Sequence, residues 1–259
     1  MPTVIFRLDG PLQSWASPSH WEERNTLPFP TKSGVIGLTA NCLGYTREQP
    51  LKGLAQCRYA VRADRPGHVM IDEQTAGGGP FPLDALTAST EGIDPTTFRY
   101  GVPRKPEPDD SGRLRAPWKD AERGTVLIKR QYLADAAFTA SLTHPDPDLT
   151  QRIWKALNAP ARLPALGVRN CPPAHSLAHL YLPDDHGEVN PDDACPAWAQ
   201  NVPLLPNATT NRCEVWAEHP DGEEINAWQP PTSYAARDYT VLSMRRFLTT
   251  PPSNVPGAT

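Results

Sequence analysis

Apolar and polar residues alternate over Thr3–Leu8, with Val4, Phe6 and Leu8 on one side and Ile5 and Arg7 on the other. That period of two predicts an opening strand, and Gly10-Pro11 stops it. From Thr31 or Ser33 the pattern changes to a helical one through Val35, Ile36, Leu38, Cys42 and Leu43, ending at Gly44, as a capped helix with a glycine stop does. Gly34 and Gly37 weaken such a helix, so they are expected to let it approach a sheet closely. Strands are predicted at Arg58–Arg62 and near Val69–Asp72, then at Thr125–Tyr132 and Ala136–Leu142, the last two turning at Ala134-Asp135. Asp146-Pro147 caps a second helix whose apolar face is Leu149, Ile153, Trp154 and Leu157. Asp238–Phe247 is the last expected strand, and Thr249–Thr259 reads as a loose tail. Together these elements predict an α+β fold.

Between Ala76 and Ala121 periodicity is lost to glycine, proline and charge, which predicts a long loop or extended hairpin. The chain of 259 residues holds 31 prolines, about 12% against a usual ~5%, which argues against an all-helical bundle. Net charge is −4, but residues 183–226 carry ten acids against the single base Arg212, with Asp221-Gly222 read as a turn. The rest holds 24 bases and 19 acids, a net of +5, so an acidic segment hides a mildly basic body. The five cysteines include no C-x-x-C pair, so neither a disulfide framework nor a zinc site is expected. No stretch approaches the roughly 18 apolar residues of a membrane span, and a cytoplasmic protein is the expectation.

Three segments carry candidate chemistry. Phe29-Pro30-Thr31-Lys32-Ser33-Gly34 puts hydroxyls, a lysine and backbone N–H groups at a helix start, where a phosphate could sit. It lacks the glycine run of a Walker A loop, and Thr31 and Ser33 would equally serve as a plain cap. Gln13-Ser14-Trp15 follows the first strand and offers groups that stack on or hydrogen-bond to unpaired bases; a buried Trp15 anchoring the loop is the other reading. Within 101–132, Arg104, Lys105, Arg113, Arg115, Lys119, Arg123, Lys129 and Arg130 outnumber five acids. They form either a phosphate-tracking arm or solvated loop charge. Smaller clusters are Arg162, Gly167, Arg169 and Asn170, and Arg237, Arg245 and Arg246. His175 and His179 have helical spacing but lack the glutamate of a zinc-protease helix.

Taken together, Phe6-Arg7-Leu8-Asp9-Gly10-Pro11-Leu12-Gln13-Ser14-Trp15 and Phe29-Pro30-Thr31-Lys32-Ser33-Gly34-Val35-Ile36-Gly37-Leu38 resemble one family. Further likeness lies in Tyr59–Arg62, Arg130–Phe138 and Leu166–Pro172, with a weaker return around Tyr234–Val241. It is the CasD-type subunit of the type I-E CRISPR surveillance complex, Cascade, in the RAMP superfamily. The chain departs from that pattern at Val168, where adjacent bases are usual, and at Ala16, where glycine is.

The resemblance implies a ferredoxin-like, RRM-related βαββαβ core over 1–182, with a thumb hairpin at about 76–121. The acidic segment and returning strands would fill 183–248, and 249–259 would be a flexible tail. It implies a non-catalytic RNA binder that holds the 5′ handle of the CRISPR RNA. As such it would cap the CasC backbone filament beside the large CasA subunit, and touch target DNA only through the assembled complex. No cofactor and no metal are expected. The implied RNA contacts are Gln13, Ser14 and Trp15 to bases, Thr31, Lys32 and Ser33 to a phosphate, and Arg104, Lys105, Arg113 and Arg115 to the backbone. Arg130, Gly167, Arg169 and Arg237 complete the set. The rival reading is a metal-independent endoribonuclease using His20, His144, Tyr132 or Lys129 as acid and base.

Overall fold

The computed structural model describes residues 1–17, 23–76, 79–80, 99–100, 126–183, 195–208, 212–231, 233–236 and 238–252. Its strands are β1 (Thr3–Asp9), β2 (Leu12–Gln13), β3 (Glu23–Arg24), β4 (Arg58–Arg65), β5 (His68–Ala76), β6 (Gly79–Pro80), β7 (Arg99–Tyr100), β8 (Val126–Ala134), β9 (Ala137–Thr143), β10 (Ala178–Leu182), β11 (Cys213–Trp228) and β12 (Val241–Thr249). Its helices are α1 (Lys32–Cys42), α2 (Gly53–Gln56), α3 (Pro147–Asn158) and α4 (Ala197–Asn201). The chain forms two compact units, one of residues 1–19, 25–70 and 131–259, the other of residues 20–24 and 71–130. In the second unit β3 runs parallel to Lys129 and Arg130 of β8, Glu23 facing Lys129, and Lys129 pairs with Glu73 at 3.3 Å. There β6 also pairs antiparallel with β7.

The first unit is built on a six-stranded sheet in the order β10-β1-β9-β4-β11-β12, every pairing antiparallel. Alternation along β1 sorts its side chains between two cores. Val4, Phe6 and Leu8 join Val35, Ile36 and Leu38 of α1 and Leu149, Ile153 and Leu157 of α3, whereas Ile5 joins Trp198, Val202 and Val215. Both faces are therefore covered, and burial of each such side chain stabilises the fold by about 1.5–3 kcal/mol. On the Trp198 side Arg62 and Asp64 are wholly buried and paired at 2.5 Å. Arg62 also donates to the carbonyls of Ala199, Val202 and Pro203, while Asp64 accepts from Thr139 and from the Leu205 backbone N–H. This network docks the 197–205 segment.

Helix ends follow the sequence signals. Thr31 accepts from the Gly34 N–H at the start of α1. At its end Gly44 has φ +80°, with Gly44 N–H donating to Asn41 O and Tyr45 N–H to Ala40 O, the double closure of a Schellman motif. Asp146 caps α3 through the Asp148 and Leu149 N–H groups, with Pro147 in the first turn. Asp221-Gly222 falls within the span of β11, where Asp221 N–H donates to His219 Nδ1. There residues 219–222 leave the ladder, since Glu218 and Glu223 both face Met244. Beyond Thr249, the Pro252 carbonyl accepts from Leu204 N–H.

Candidate nucleic-acid interface

Three distant segments converge in the first unit on a cleft of about 1050 Å³, formed by Ser14–Ala16, by residues of α1 from its Thr31 cap to Asn41, and by the loop 162–173. Tyr234 and Tyr239, from the connection between β11 and β12, complete its wall. Gly167 ties two of these segments together. Its φ is +90°, and a Cβ there would stand 1.7 Å from the Ser14 carbonyl oxygen, so only glycine permits the approach. Ser14 N–H in turn donates to Leu166 O at 3.1 Å. Gly34 and Gly37 also enable close contact, but with side chains rather than with a sheet. The Trp15 ring lies against Gly34, and the Tyr234 hydroxyl against Gly37, donating to Ser33 O at 2.7 Å.

Three expected contacts give way to interior roles. Gln13 is wholly buried, its Nε2 donating to Leu8 O and Ala136 O and its Oε1 accepting the Trp15 indole N–H at 3.0 Å. All three amide capacities used here are thus met inside the protein, and none faces a base. Trp15 itself has no exposed surface, so it braces the cleft wall instead of offering a stacking face. Lys32 is 3% exposed and bonded through Nζ to both carboxylate oxygens of Glu218 at 2.8 and 2.9 Å. Glu218 also accepts from Gln229, and the pair ties α1 to β11. The buried Cys57 thiol beside it is pushed up to about 12, first by desolvation.

Other expected residues remain at the surface or edge of the cleft. Ser14, Thr31, Ser33, Gly167 and Arg169 line it with Trp15. Thr31 is nonetheless engaged as the α1 cap, and the Ser14 hydroxyl donates to Gln131 O at 3.2 Å. Arg169 is exposed and makes no hydrogen bond or ion pair with any described residue. Arg130 is half-buried on β8, its Nε buried without a partner, and it is not among the lining residues. Arg104, Lys105, Arg113, Arg115 and Arg237 lie outside the described residues, as does His20. Of the other acid–base candidates, Tyr132 is buried and accepts from Asn170 Nδ2, and His144 Nδ1 accepts from Asp146 N–H.

Among the described residues, two arginines, Arg162 and Arg169, and no carboxylate line the cleft, so their field favours an anion. The model of the family described as CRISPR-associated protein (Cas_Cas5) matches residues 3–247. The chain belongs to that family. It is 31% identical over 179 residues to the CRISPR system Cascade subunit CasD of Escherichia coli strain K12, covering 67% of this chain and 68% of that protein. Its fold is similar to a crystal structure of a Cas protein, with TM-score 0.62 and 26% identity over 98% of this chain and all of the other. It is also similar to a chain of a CRISPR RNA-guided surveillance complex, with TM-score 0.62 and 28% identity over 99% of this chain and 95% of that one.

For this Cas5 family member, sequence reasoning missed Asn41, Leu163 and Tyr239 in the cleft. The weak family likeness near Tyr234–Val241 was a signal for the tyrosines. Nothing in the local pattern marked Asn41 or Leu163. Val168, where the family usually has a second base, is half-buried and packs on the main core. No described helix is long and apolar enough to cross a membrane.

Proposed function

We propose that this chain is a non-catalytic RNA-binding subunit of a type I-E CRISPR surveillance complex, holding the 5′ handle of the guide RNA in the cytoplasm. It would cap one end of a CasC-type filament beside a CasA-type subunit, with target DNA reached through base pairing by the guide. Family membership and the likeness to CasD and to the surveillance-complex chain support the assignment. The observation that carries it is the convergence of Ser14, Ser33, Gly167 and Arg169 on one cleft with no carboxylate among its described lining residues. A ferredoxin-like core is supported by the strand order β10-β1-β9-β4, with α1 joining β1 to β4 and α3 joining β9 to β10. A thumb reading is supported by β5 and β8, which pair and carry the chain between its two units.

In this reading Arg169 neutralises a handle phosphate and the Ser33 hydroxyl faces the RNA, while Gln13, Trp15, Thr31 and Lys32 hold the cleft in shape. Arg104, Lys105, Arg113, Arg115 and Arg130 serve the thumb's contact with the backbone, and Arg237 a further one. The test is to co-express the chain with its partner subunits and a CRISPR array, cross-link, and sequence the RNA attached to it. Handle cross-links at the cleft support the proposal. Assembly without RNA cross-links refutes it in favour of a scaffold, and cleavage of repeat RNA by this chain in EDTA refutes it in favour of a ribonuclease.

A further inference from the structure

Leu163 stands at the mouth of the cleft and is 93% exposed. A lone exposed leucine usually needs no explanation, but this one is held out on a pinned backbone. Ala161 N–H donates to Cys42 O at 2.8 Å, and Asn41 Nδ2 donates to the Leu163 carbonyl at 3.0 Å. The Arg162 guanidinium is anchored on the carbonyls of Tyr45 at 2.6 Å and Gly44 at 3.0 Å. Three tethers to the end of α1 therefore fix the loop on which the apolar side chain projects. They also engage Arg162, leaving Arg169 as the cleft-lining cation free of described partners.

The exposed Leu163, the apolar Leu38, Val168 and Pro172, and the Arg169 guanidinium, which has no described partner, line one cleft and match the chemistry of a nucleotide out of its stack. We infer that Leu163 is a wedge that abuts an unstacked base of single-stranded RNA seated in the cleft, while Arg169 takes an adjacent phosphate. Wedges of this type interrupt stacking because an aliphatic side chain fills the space of the next base. A basic partner protein is disfavoured because no described residue lining the cleft is a carboxylate. The inference rests on the RNA-binding reading and adds a residue and a function within it.

The test uses the surveillance complex assembled from this chain, its partner subunits and guide RNAs carrying 2-aminopurine at each handle position in turn. One position should be bright in the parent complex, because fluorescence rises when the base leaves the stack. In Leu163→Ala that signal should fall and the complex should hold its RNA roughly tenfold less tightly, while the salt dependence of binding stays unchanged. Leu163→Met should restore the signal, and Arg169→Ala should flatten the salt dependence with the bright position retained. Equal fluorescence at every position in parent and Leu163→Ala complexes, with RNA still bound, overturns the wedge and leaves the RNA-binding reading standing. Loss of subunit assembly in Leu163→Ala with RNA retained on this chain also overturns it, marking a protein contact. A complex in which this chain holds no RNA overturns both.

Discussion

Arg62 and Arg169 have the same side chain and opposite situations. Arg62, beneath Trp198, is wholly desolvated and donates to Asp64 and three backbone carbonyls. Arg169, at the cleft rim, is exposed and has no described partner. A guanidinium taken from water must find every partner within the protein, so Arg62 fixes one arrangement of the chain. One left in water keeps its donors for a ligand. Burial, rather than residue type, separates an arginine spent on the fold from one whose donors stay available, and it separates Lys32 from Arg169 in the same way.

The sharpest way to break this comparison is Arg62→Met. It leaves Asp64 buried and uncompensated, and should cost about 3–5 kcal/mol, read as a drop on the order of 10 °C in Tm. Adding an apolar substitution at Asp64 should recover part of that loss; no recovery would mean that the pair does more than satisfy itself. Next is Gly167→Ala, whose φ of +90° and 1.7 Å clash with Ser14 O force the two cleft loops apart. Strain of roughly 1–3 kcal/mol should lower Tm and remove handle cross-links together.

Arg169→Ala should leave stability within about 0.5 kcal/mol and reduce the slope of log K against log salt by about 0.7. A Tm loss comparable to that of Arg62→Met would erase the distinction. The smallest effect concerns His179, whose pKa burial lowers, with Asp64 raising it and Arg7 and Arg62 lowering it further. The unfolded chain then binds the proton more readily than the folded one. Stability is held above the unfolded value near 6.5 and declines as pH falls toward the lower folded value. His179→Gln should flatten the dependence of Tm on pH between about 7 and 5.

The sequence located the elements well where one local rule sufficed. Alternation marked β1, β-branched and aromatic content marked β9, Thr31 and Gly44 bounded α1, and Asp146-Pro147 started α3. It missed β10 and α4, which are only five residues each, and the long β11, where charge masks the signal. The acids of the 183–226 stretch include Glu214 and Glu218, strand residues that face Arg246 and Lys32, so a strand looked like a solvated loop. The segments that line the cleft were legible, but not which of their side chains are buried. Gln13, Trp15 and Lys32 offered suitable chemistry, and only packing shows that Leu8 and Ala136, Gln13 and Glu218 already occupy it.

What the sequence determined alone was the α+β element order, the helix caps and the family likeness, because each is written in neighbouring residues or in ordered motifs. The tertiary structure decided which polar groups face inward, that Gly167 must meet Ser14, and that Leu163 and Arg169 line the same cleft as Asn41. These depend on segments more than a hundred residues apart being brought within a few ångströms, and the cost of leaving a desolvated polar group unpaired selects that arrangement.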